Sequence, residues 1–359
     1  MFDRTLPVAR SIRLRIVYVL GMALVCVLFP SANARADDKP KPFVEPPSTV
    51  SPEAAAYLKS LPGPSARPIA PAPDDLAGWK RLQEKREAEA EPRVAAFVKR
   101  YQPTITERKI GGVPVLDIKP RGWKDNGKAL VYAHGGAYTT FSARSTLPSA
   151  LVAAAATGLR VISIDYALAP AAKWPRITDE VLVVFRGLEA EGLPAKMLAF
   201  YGDSAGGGLV AGATLKMRDK GLTMPAALVL WSPWSDIGEH GDTFATLKHA
   251  EPTYTYEKHL KNAAAAYADP NEHKHPYVSP VYGDYAKGFP PTLIQGGTRE
   301  IFLSNFVRHY RALDTAGQHA VLDLYEGMPH VFQSRLADAP EGKAALAKMK
   351  GFLERHLGR

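Results

Sequence analysis

Short apolar runs alternate with longer amphipathic segments along the chain from residue 104 onward. The apolar runs predict strands at 104–109, 113–119, 129–133, 161–165, 197–201, 227–231, 292–295 and 321–325. Segments with apolar residues at helical spacing predict helices at 147–156, 178–191, 205–220, 303–315 and 344–357. This alternation is typical of an α/β fold, a mostly parallel sheet with helices on both faces that binds ligands at the carboxyl ends of its strands.

Two segments outside this alternation are interpreted as a cover over that edge of the sheet. Residues 76–101 carry apolar residues at helical spacing on both sides of Pro92, which predicts two amphipathic helices separated at the proline. Residues 236–289 lie between two predicted strands and contain one helical run. We therefore expect an α/β domain over residues 80–359, with a helical lid built from 80–101 and 236–289.

The first 36 residues have the three-part pattern of a secretory signal peptide. Arginines precede an apolar run at 16–29, and the small residues after it predict cleavage behind Ala34 or Ala36. An uncleaved membrane anchor is the alternative, but 14 apolar residues are fewer than the roughly 20 that a spanning helix needs. The pattern predicts a periplasmic or secreted protein with no stable membrane span after processing.

A proline-rich segment follows the predicted signal peptide. Residues 37–79 contain ten prolines and one short helical pattern at 51–61. Such a composition favours extended chain over a packed core. We interpret these residues as an N-terminal arm that precedes the α/β domain.

The composition narrows the chemistry that the chain can perform. Its 359 residues carry a net charge of +9, with Lys and Arg scattered among acidic residues, so a nucleic-acid partner is not expected. The single cysteine, Cys26, excludes a disulfide framework and a cysteine-based metal site. The sequence has no phosphate-binding loop, dinucleotide fingerprint or metal-ligand spacing, so neither a metal nor a cofactor is expected.

Ser204 is the candidate nucleophile. It lies at the centre of the Gly-Asp-Ser-Ala-Gly segment 202–206, between a predicted strand and a predicted helix. Small residues two positions before and after the serine permit a strained turn that presents its hydroxyl. The alternative is a glycine-rich turn with a structural serine. The position between strand and helix favours the nucleophile.

A serine hydroxyl needs a base to remove its proton and an acid to orient that base. His330 is the histidine that lies in a loop just beyond the last predicted strand, and it is the candidate base. Glu300 follows the preceding strand and is the candidate acid. Asp323 is its rival, although its place inside an alternating strand directs it into the sheet or onto one of its faces. Asp314 on a helix is less plausible.

Attack on a carbonyl carbon places negative charge on oxygen, so the site needs hydrogen-bond donors. The loop after strand 129–133 contains Gly135 and Gly136, where backbone amides can turn inward. With the amide of Ala205, these are the predicted oxyanion donors. His134 precedes them and is expected to orient the backbone.

Taken together, these motifs resemble the bacterial hormone-sensitive-lipase family of α/β-hydrolases. The matching segments are 134–136, 165–170, 202–207, 297–300 and 329–332. The resemblance implies an eight-stranded sheet, a lid formed by the N-terminal segment and the insertion, and hydrolysis of short- to medium-chain carboxylic esters or lactones. It also implies that Ser204 is the nucleophile, Glu300 the acid, His330 the base, and Gly135, Gly136 and Ala205 the oxyanion donors.

Other functions are compatible with the same residues. Lactone hydrolysis uses the same triad, and transfer of the acyl group to an alcohol shares the acyl-enzyme. A non-catalytic small-molecule binding protein is the alternative from another class, because this fold also serves as a receptor scaffold. The sequence leaves the oligomeric state undetermined.

Several aromatic residues near the predicted loops are candidates for an acyl pocket. They are equally well explained as core or lid packing. The residues are Tyr138, Phe141, Trp231, Trp234, Tyr254 and Tyr256.

Overall fold

The structure is a computed structural model that describes residues 43–358. The predicted signal peptide, its cleavage sites and the first part of the arm lie outside the described residues. Within residues 43–358, eight strands form one sheet, as the family resemblance implies. They are β1 (Thr104–Ile110), β2 (Val113–Lys119), β3 (Ala129–Ala133), β4 (Arg160–Ile164), β5 (Leu198–Asp203), β6 (Ala227–Trp231), β7 (Thr292–Gly297) and β8 (Ala320–Tyr325).

The strands lie in the order β1-β2-β4-β3-β5-β6-β7-β8. β1 and β2 form an antiparallel hairpin, and β2 pairs antiparallel with β4. Every pair from β4 to β8 is parallel. The prediction of a mostly parallel α/β sheet is confirmed. Because parallel strands end at the same edge, the loops after β3, β5, β6, β7 and β8 meet there.

Helices cover both faces of this sheet. They are α1 (Pro52–Ser60), α2 (Leu76–Tyr101), α3 (Leu147–Thr157), α4 (Trp174–Ala190), α5 (Ala205–Asp219), α6 (Thr243–Thr246), α7 (Lys261–Tyr267), α8 (Leu303–Thr315), α9 (Phe332–Arg335) and α10 (Pro340–His356), with a π-helical turn at Tyr256–Leu260. α4 and α10 begin one turn earlier than predicted. Proline in their first turns is tolerated because the amides there have no partner within the helix.

Strand β3 illustrates how the sheet divides the core. All of its side chains are buried, and they alternate between the two faces. Leu130 and Tyr132 belong to the apolar cluster that contains α3 and α10, whereas Val131 and Ala133 belong to the cluster that contains α4 and α5. Burial on both faces explains why the central strands read as continuous apolar runs in the sequence.

Helix α2 is continuous through Pro92, so the predicted interruption at this proline is wrong. Proline cannot donate a hydrogen bond to the carbonyl of Ala88, four residues earlier. Both residues are exposed, so water can hydrate that carbonyl. Trp79 and Val94 are buried on either side of the proline, and their packing holds the two halves in one helix.

The described part of the arm packs against the α/β domain. Ala54 of α1 is fully buried in a small apolar cluster with Met328 and Phe332. The amide and hydroxyl of Ser51 donate to the carboxylate of Glu341 at 2.7 and 2.8 Å. Within residues 43–358, no helix combines the length and apolarity needed to cross a membrane.

Candidate active site

Ser204 lies on a strained turn between β5 and α5. Its φ of 55° and ψ of −125° are rarely adopted by residues other than glycine, at a cost of about 1–3 kcal/mol. A Cβ on Gly202 would lie 2.4 Å from the carbonyl oxygen of Gly206. A Cβ on Gly206 would lie 2.0 Å from the carbonyl oxygen of Ala133. The two glycines therefore permit the close packing that the turn requires.

The three predicted triad side chains meet at the carboxyl edge of the sheet. The hydroxyl of Ser204 lies 2.9 Å from Nε2 of His330, and Nδ1 of His330 lies 2.6 Å from Oε2 of Glu300. With the ring proton on Nδ1, His330 donates to Glu300 and accepts from Ser204. All three residues are buried, and Glu300 has no exposed surface. The arrangement allows a proton to move from the serine to the imidazole.

Ser232 links the acid to the loop that carries the histidine. Its hydroxyl donates to Oε1 of Glu300 at 2.7 Å and accepts from the amide of Val331 at 3.0 Å. The amide of Gly297 also donates to Oε1 of Glu300, at 2.7 Å. Sequence reasoning missed Ser232, although its place directly after β6 puts it at the same edge as the triad.

The rival acids do not reach His330. Asp323 accepts hydrogen bonds from Gln295 at 2.8 Å and Tyr325 at 2.9 Å, and Asp314 pairs with Arg311 at 2.6 Å. Among the carboxylates of residues 43–358, only that of Glu300 forms a hydrogen bond with His330. The structure therefore brings together the residues that the sequence selected.

The predicted oxyanion donors differ in their availability. The amide of Gly135 donates to Oδ1 of Asp203 at 3.3 Å, so this donor is engaged within the protein. For Gly136 and Ala205, no acceptor within the described residues takes up the amide. The same holds for Ala137, whose φ of 53° is in the left-handed region. Within residues 43–358, the amides of Gly136, Ala137 and Ala205 are therefore the donors available to a substrate oxygen.

Comparison with known proteins places this site in a family. A sequence model described as the alpha/beta hydrolase fold matches residues 130–334, more than half of the chain. The chain belongs to the α/β-hydrolase family.

Individual α/β-hydrolases extend the similarity to most of the chain. An acetyl-hydrolase of Streptomyces hygroscopicus is 30% identical over 282 residues, which cover 76% of this chain and 92% of that protein. The crystal structure of esterase E25 superposes with a TM-score of 0.82 at 29% identity and covers 88% of this chain and 97% of that chain. An esterase from the bacterial hormone-sensitive lipase family is 34% identical, with a TM-score of 0.68, over 71% of this chain and 85% of that chain. Within the α/β-hydrolases, the chain therefore belongs to the group of the bacterial hormone-sensitive lipases.

Asp203 supports the oxyanion turn of this α/β-hydrolase. Its carboxylate accepts hydrogen bonds from the hydroxyl of Tyr132 and the amide of Gly135. Burial raises the pKa of Asp203, and the hydrogen bond from Tyr132 opposes this shift. A Cβ on Gly136 would lie 2.1 Å from the carbonyl oxygen of Thr140, so the turn needs glycine there. Asp203 thus anchors the loop after β3 beside the nucleophile.

A cavity of about 450 Å³ opens over the triad. Its walls come from the arm, from α2, from residues between 141 and 149, from residues 252–254 of the insertion and from α9. Phe141 and Tyr254 line it, and the ring of Tyr254 meets that of His330 edge-on at 5.4 Å. The other candidate pocket aromatics are buried packing residues outside the lining: Tyr138, Trp231, Trp234 and Tyr256.

Glu251 is a second buried carboxylate beside the triad, and sequence reasoning missed it. It accepts from the amides of Thr253 at 2.7 Å and Ile301 at 3.2 Å, so it joins the insertion to the loop that carries Glu300. Burial raises the pKa of Glu251 to about 7; the charge of His330 opposes this shift and the charge of Glu300 adds to it.

No cluster of three metal-ligating side chains occurs in residues 43–358.

Substitution Gly206→Ala is expected to lower the free energy of unfolding by about 3 kcal/mol or more, because its Cβ would overlap backbone at the elbow. Gly351→Ala is the matched control. Gly351 lies inside α10 with no atom closer than 3.7 Å to a new Cβ, so alanine there should stabilise by about 0.5–1 kcal/mol. Urea unfolding measures both; equal effects of the two substitutions would contradict the elbow packing.

The buried carboxyl of Glu251 should make stability fall with rising pH. Its folded pKa of about 7 exceeds the ordinary value of 4.5, so its contribution is complete below pH 4.5 and is lost as pH rises through 7. Between pH 5 and 8 the loss amounts to about 2–3 kcal/mol. Urea midpoints for the wild type and Glu251→Gln across this range test the effect. The urea midpoint of the variant should fall less between pH 5 and 8 than that of the wild type. Parallel pH dependences of the two midpoints would contradict the role of Glu251.

Proposed function

We propose that this α/β-hydrolase cleaves carboxylic esters through an acyl-enzyme formed on Ser204. The chain is a carboxylic ester hydrolase of the serine class, which its esterase and acetyl-hydrolase relatives support. Its substrates are small-molecule esters. The observation that carries the proposal is the hydrogen-bonded series from Ser204 through His330 to Glu300, at 2.9 and 2.6 Å, at the base of a cavity.

The mechanism begins when Oγ of Ser204 attacks the ester carbonyl carbon and Nε2 of His330 takes the serine proton. Glu300 stabilises the resulting imidazolium and keeps the ring oriented. The amides of Gly136, Ala137 and Ala205 donate to the oxygen that gains negative charge. When the carbon–oxygen bond to the alcohol breaks, His330 gives its proton to the leaving alkoxide. Water, activated by the same imidazole, then releases the acid and restores Ser204.

Two further features support a catalytic role on small ester substrates. A binding protein has no use for a base in contact with the serine, so the short distance from Ser204 to His330 disfavours that alternative. The volume of about 450 Å³ lies in the range of pockets for small ligands. We therefore assign short- to medium-chain acyl esters as the substrate class.

We also propose that the protein works outside the cytoplasm. The proposal rests on the Arg-bearing start, the apolar run at 16–29 and the small residues up to position 36. Cleavage behind Ala34 or Ala36 leaves a mature chain without cysteine. A cysteine-free enzyme suits an oxidising compartment, since it has no thiol to oxidise.

Substitution Ser204→Ala tests the enzymatic function. The variant lacks the attacking oxygen, so kcat/KM for 4-nitrophenyl butyrate should fall at least about 10⁴-fold. Its circular dichroism should match that of the wild type, and a fluorophosphonate probe should label the wild type but not the variant. Ser48→Ala, at an exposed serine of the arm, is the control and should keep full activity. Undiminished turnover by Ser204→Ala would refute the mechanism.

Cell fractionation of a Gram-negative host that expresses the full chain tests the compartment. The mature protein should appear in the periplasm or the medium and begin at Arg35 or Asp37, as read by N-terminal sequencing. A chain without residues 1–36 should stay in the cytoplasm. Recovery of uncleaved protein from the membrane would favour the anchor helix instead.

A further inference from the structure

The cavity over Ser204 has an excess of positive charge. Four arginines line it: Arg67, Arg86, Arg93 and Arg335. Arg86 is neutralised by Glu89, which lies 2.8 Å away. Within residues 43–358, none of the other three guanidinium groups has a carboxylate within 4 Å. The acidic lining residues are Glu89, paired with Arg86, and Asp203, bonded to Tyr132 and Gly135.

Arg93 is the most constrained of these arginines. It lies one turn from Glu89 on α2, and its guanidinium donates to the carbonyl of Ser334 at 2.8 Å and lies 4.9 Å from the ring centre of Phe97. These partners are neutral, so the charge of this half-buried side chain has no counter-ion among the described residues. Burial lowers the pKa of Arg93 to about 9, and the positive charge of Arg335 acts in the same direction.

Arg93 and Arg335 line the same cavity, and the positive charge of Arg335 is unfavourable for that of Arg93. A desolvated cation costs free energy unless it is paired, and two cations near each other repel. An anion between them would relieve both costs with charge-assisted hydrogen bonds, and guanidinium groups match the geometry of a carboxylate. Arg67, whose guanidinium lies 4.7 Å from the ring centre of Tyr254, adds positive potential to the same cavity.

We propose that the preferred substrate is an ester that carries a second, free carboxylate, bound by Arg93 and Arg335. The ester is thus a half-ester of a dicarboxylic acid or an ester of an alcohol that bears an acid group. This inference rests on the proposed ester hydrolysis at Ser204. It assigns Arg93 and Arg335 to substrate recognition, and the proton transfers remain with the triad.

Two pairs of substrates of similar shape test the assignment. Mono-4-nitrophenyl adipate against 4-nitrophenyl hexanoate places the acid on the acyl side, and 4-acetoxybenzoate against 4-methylphenyl acetate places it on the alcohol side. In at least one of the two pairs, kcat/KM for the anionic ester should exceed that for its neutral partner by at least about 10-fold at low salt, mainly because KM is lower. The advantage should shrink as ionic strength rises. Equal values within both pairs would overturn the inference.

Removing the charge of the exposed Arg335 tests whether the preference for anionic esters depends on this residue. For Arg335→Gln, KM for the preferred anionic ester should rise about 10-fold while its neutral partner changes less than about twofold. Arg335→Glu should weaken the anionic ester further. Arg311→Gln removes one positive charge on α8, outside the cavity lining, and is the matched control that should keep the preference. A preference unchanged in both Arg335 variants would overturn the inference.

The neutral esters separate this inference from the proposed function. If 4-nitrophenyl hexanoate and 4-methylphenyl acetate are cleaved and the anionic esters are no better, the enzyme is an esterase without the inferred preference. If no ester is cleaved and a fluorophosphonate does not label Ser204, the proposed function itself fails.

Variants of Arg93 test the charge contact itself. Arg93→Lys keeps the charge but loses the planar guanidinium, so it should raise KM for the anionic ester less than Arg93→Gln does. An equal rise of KM in both variants would argue against a charge contact at Arg93.

Discussion

The carboxylate of Glu300 is fully buried, and a buried charge is tolerated only where its oxygens are hydrogen-bonded. One oxygen accepts from Ser232 and the amide of Gly297, and the other accepts from His330. These bonds orient the imidazole toward Ser204. The rest of the site depends on this carboxylate, because an imidazole free to rotate would lose its contact with the serine hydroxyl. Ser232 extends the same constraint by also holding the amide of Val331, directly after the histidine.

The sheet makes this convergence possible. Ser204, Ser232, Glu300 and His330 follow four strands that are neighbours in space, β5, β6, β7 and β8, and each residue lies beyond the carboxyl end of its strand. β5, β6 and β7 are buried on both faces, and β8 is the partly exposed edge strand that pairs with β7. The positions of the three inner strands are therefore set by packing rather than by the loops they carry. A rigid sheet therefore supplies the spacing, and short loops supply the chemistry.

The arm, α2 and the insertion at 236–289 line the cavity through which a substrate approaches Ser204. The arm is tied to the domain through Ser51 and Glu341, and to the insertion through the amide of Ala70, which donates to the carbonyl of Lys258 at 2.9 Å. Helix α2 faces the cavity with Arg86, Glu89 and Arg93, one or two turns apart. The triad thus lies on loops that follow the strands of the sheet, whereas the arginines that give the cavity its charge lie on segments outside the sheet.

The sequence alone determined the α/β class, the strands, and the residues that meet at the site, because strand and helix periodicities and the Gly-x-Ser-x-Gly turn are local properties. It misjudged Pro92, since the cost of a proline in a helix is offset by the distant packing of Trp79 and Val94. It also could not distinguish the engaged amide of Gly135 from the available amide of Gly136, or identify Ser232 and Glu251. Nor could it place Arg93 and Arg335 in the lining of one cavity. Those outcomes depend on which side chains approach one another across hundreds of residues, and only the tertiary structure sets those distances.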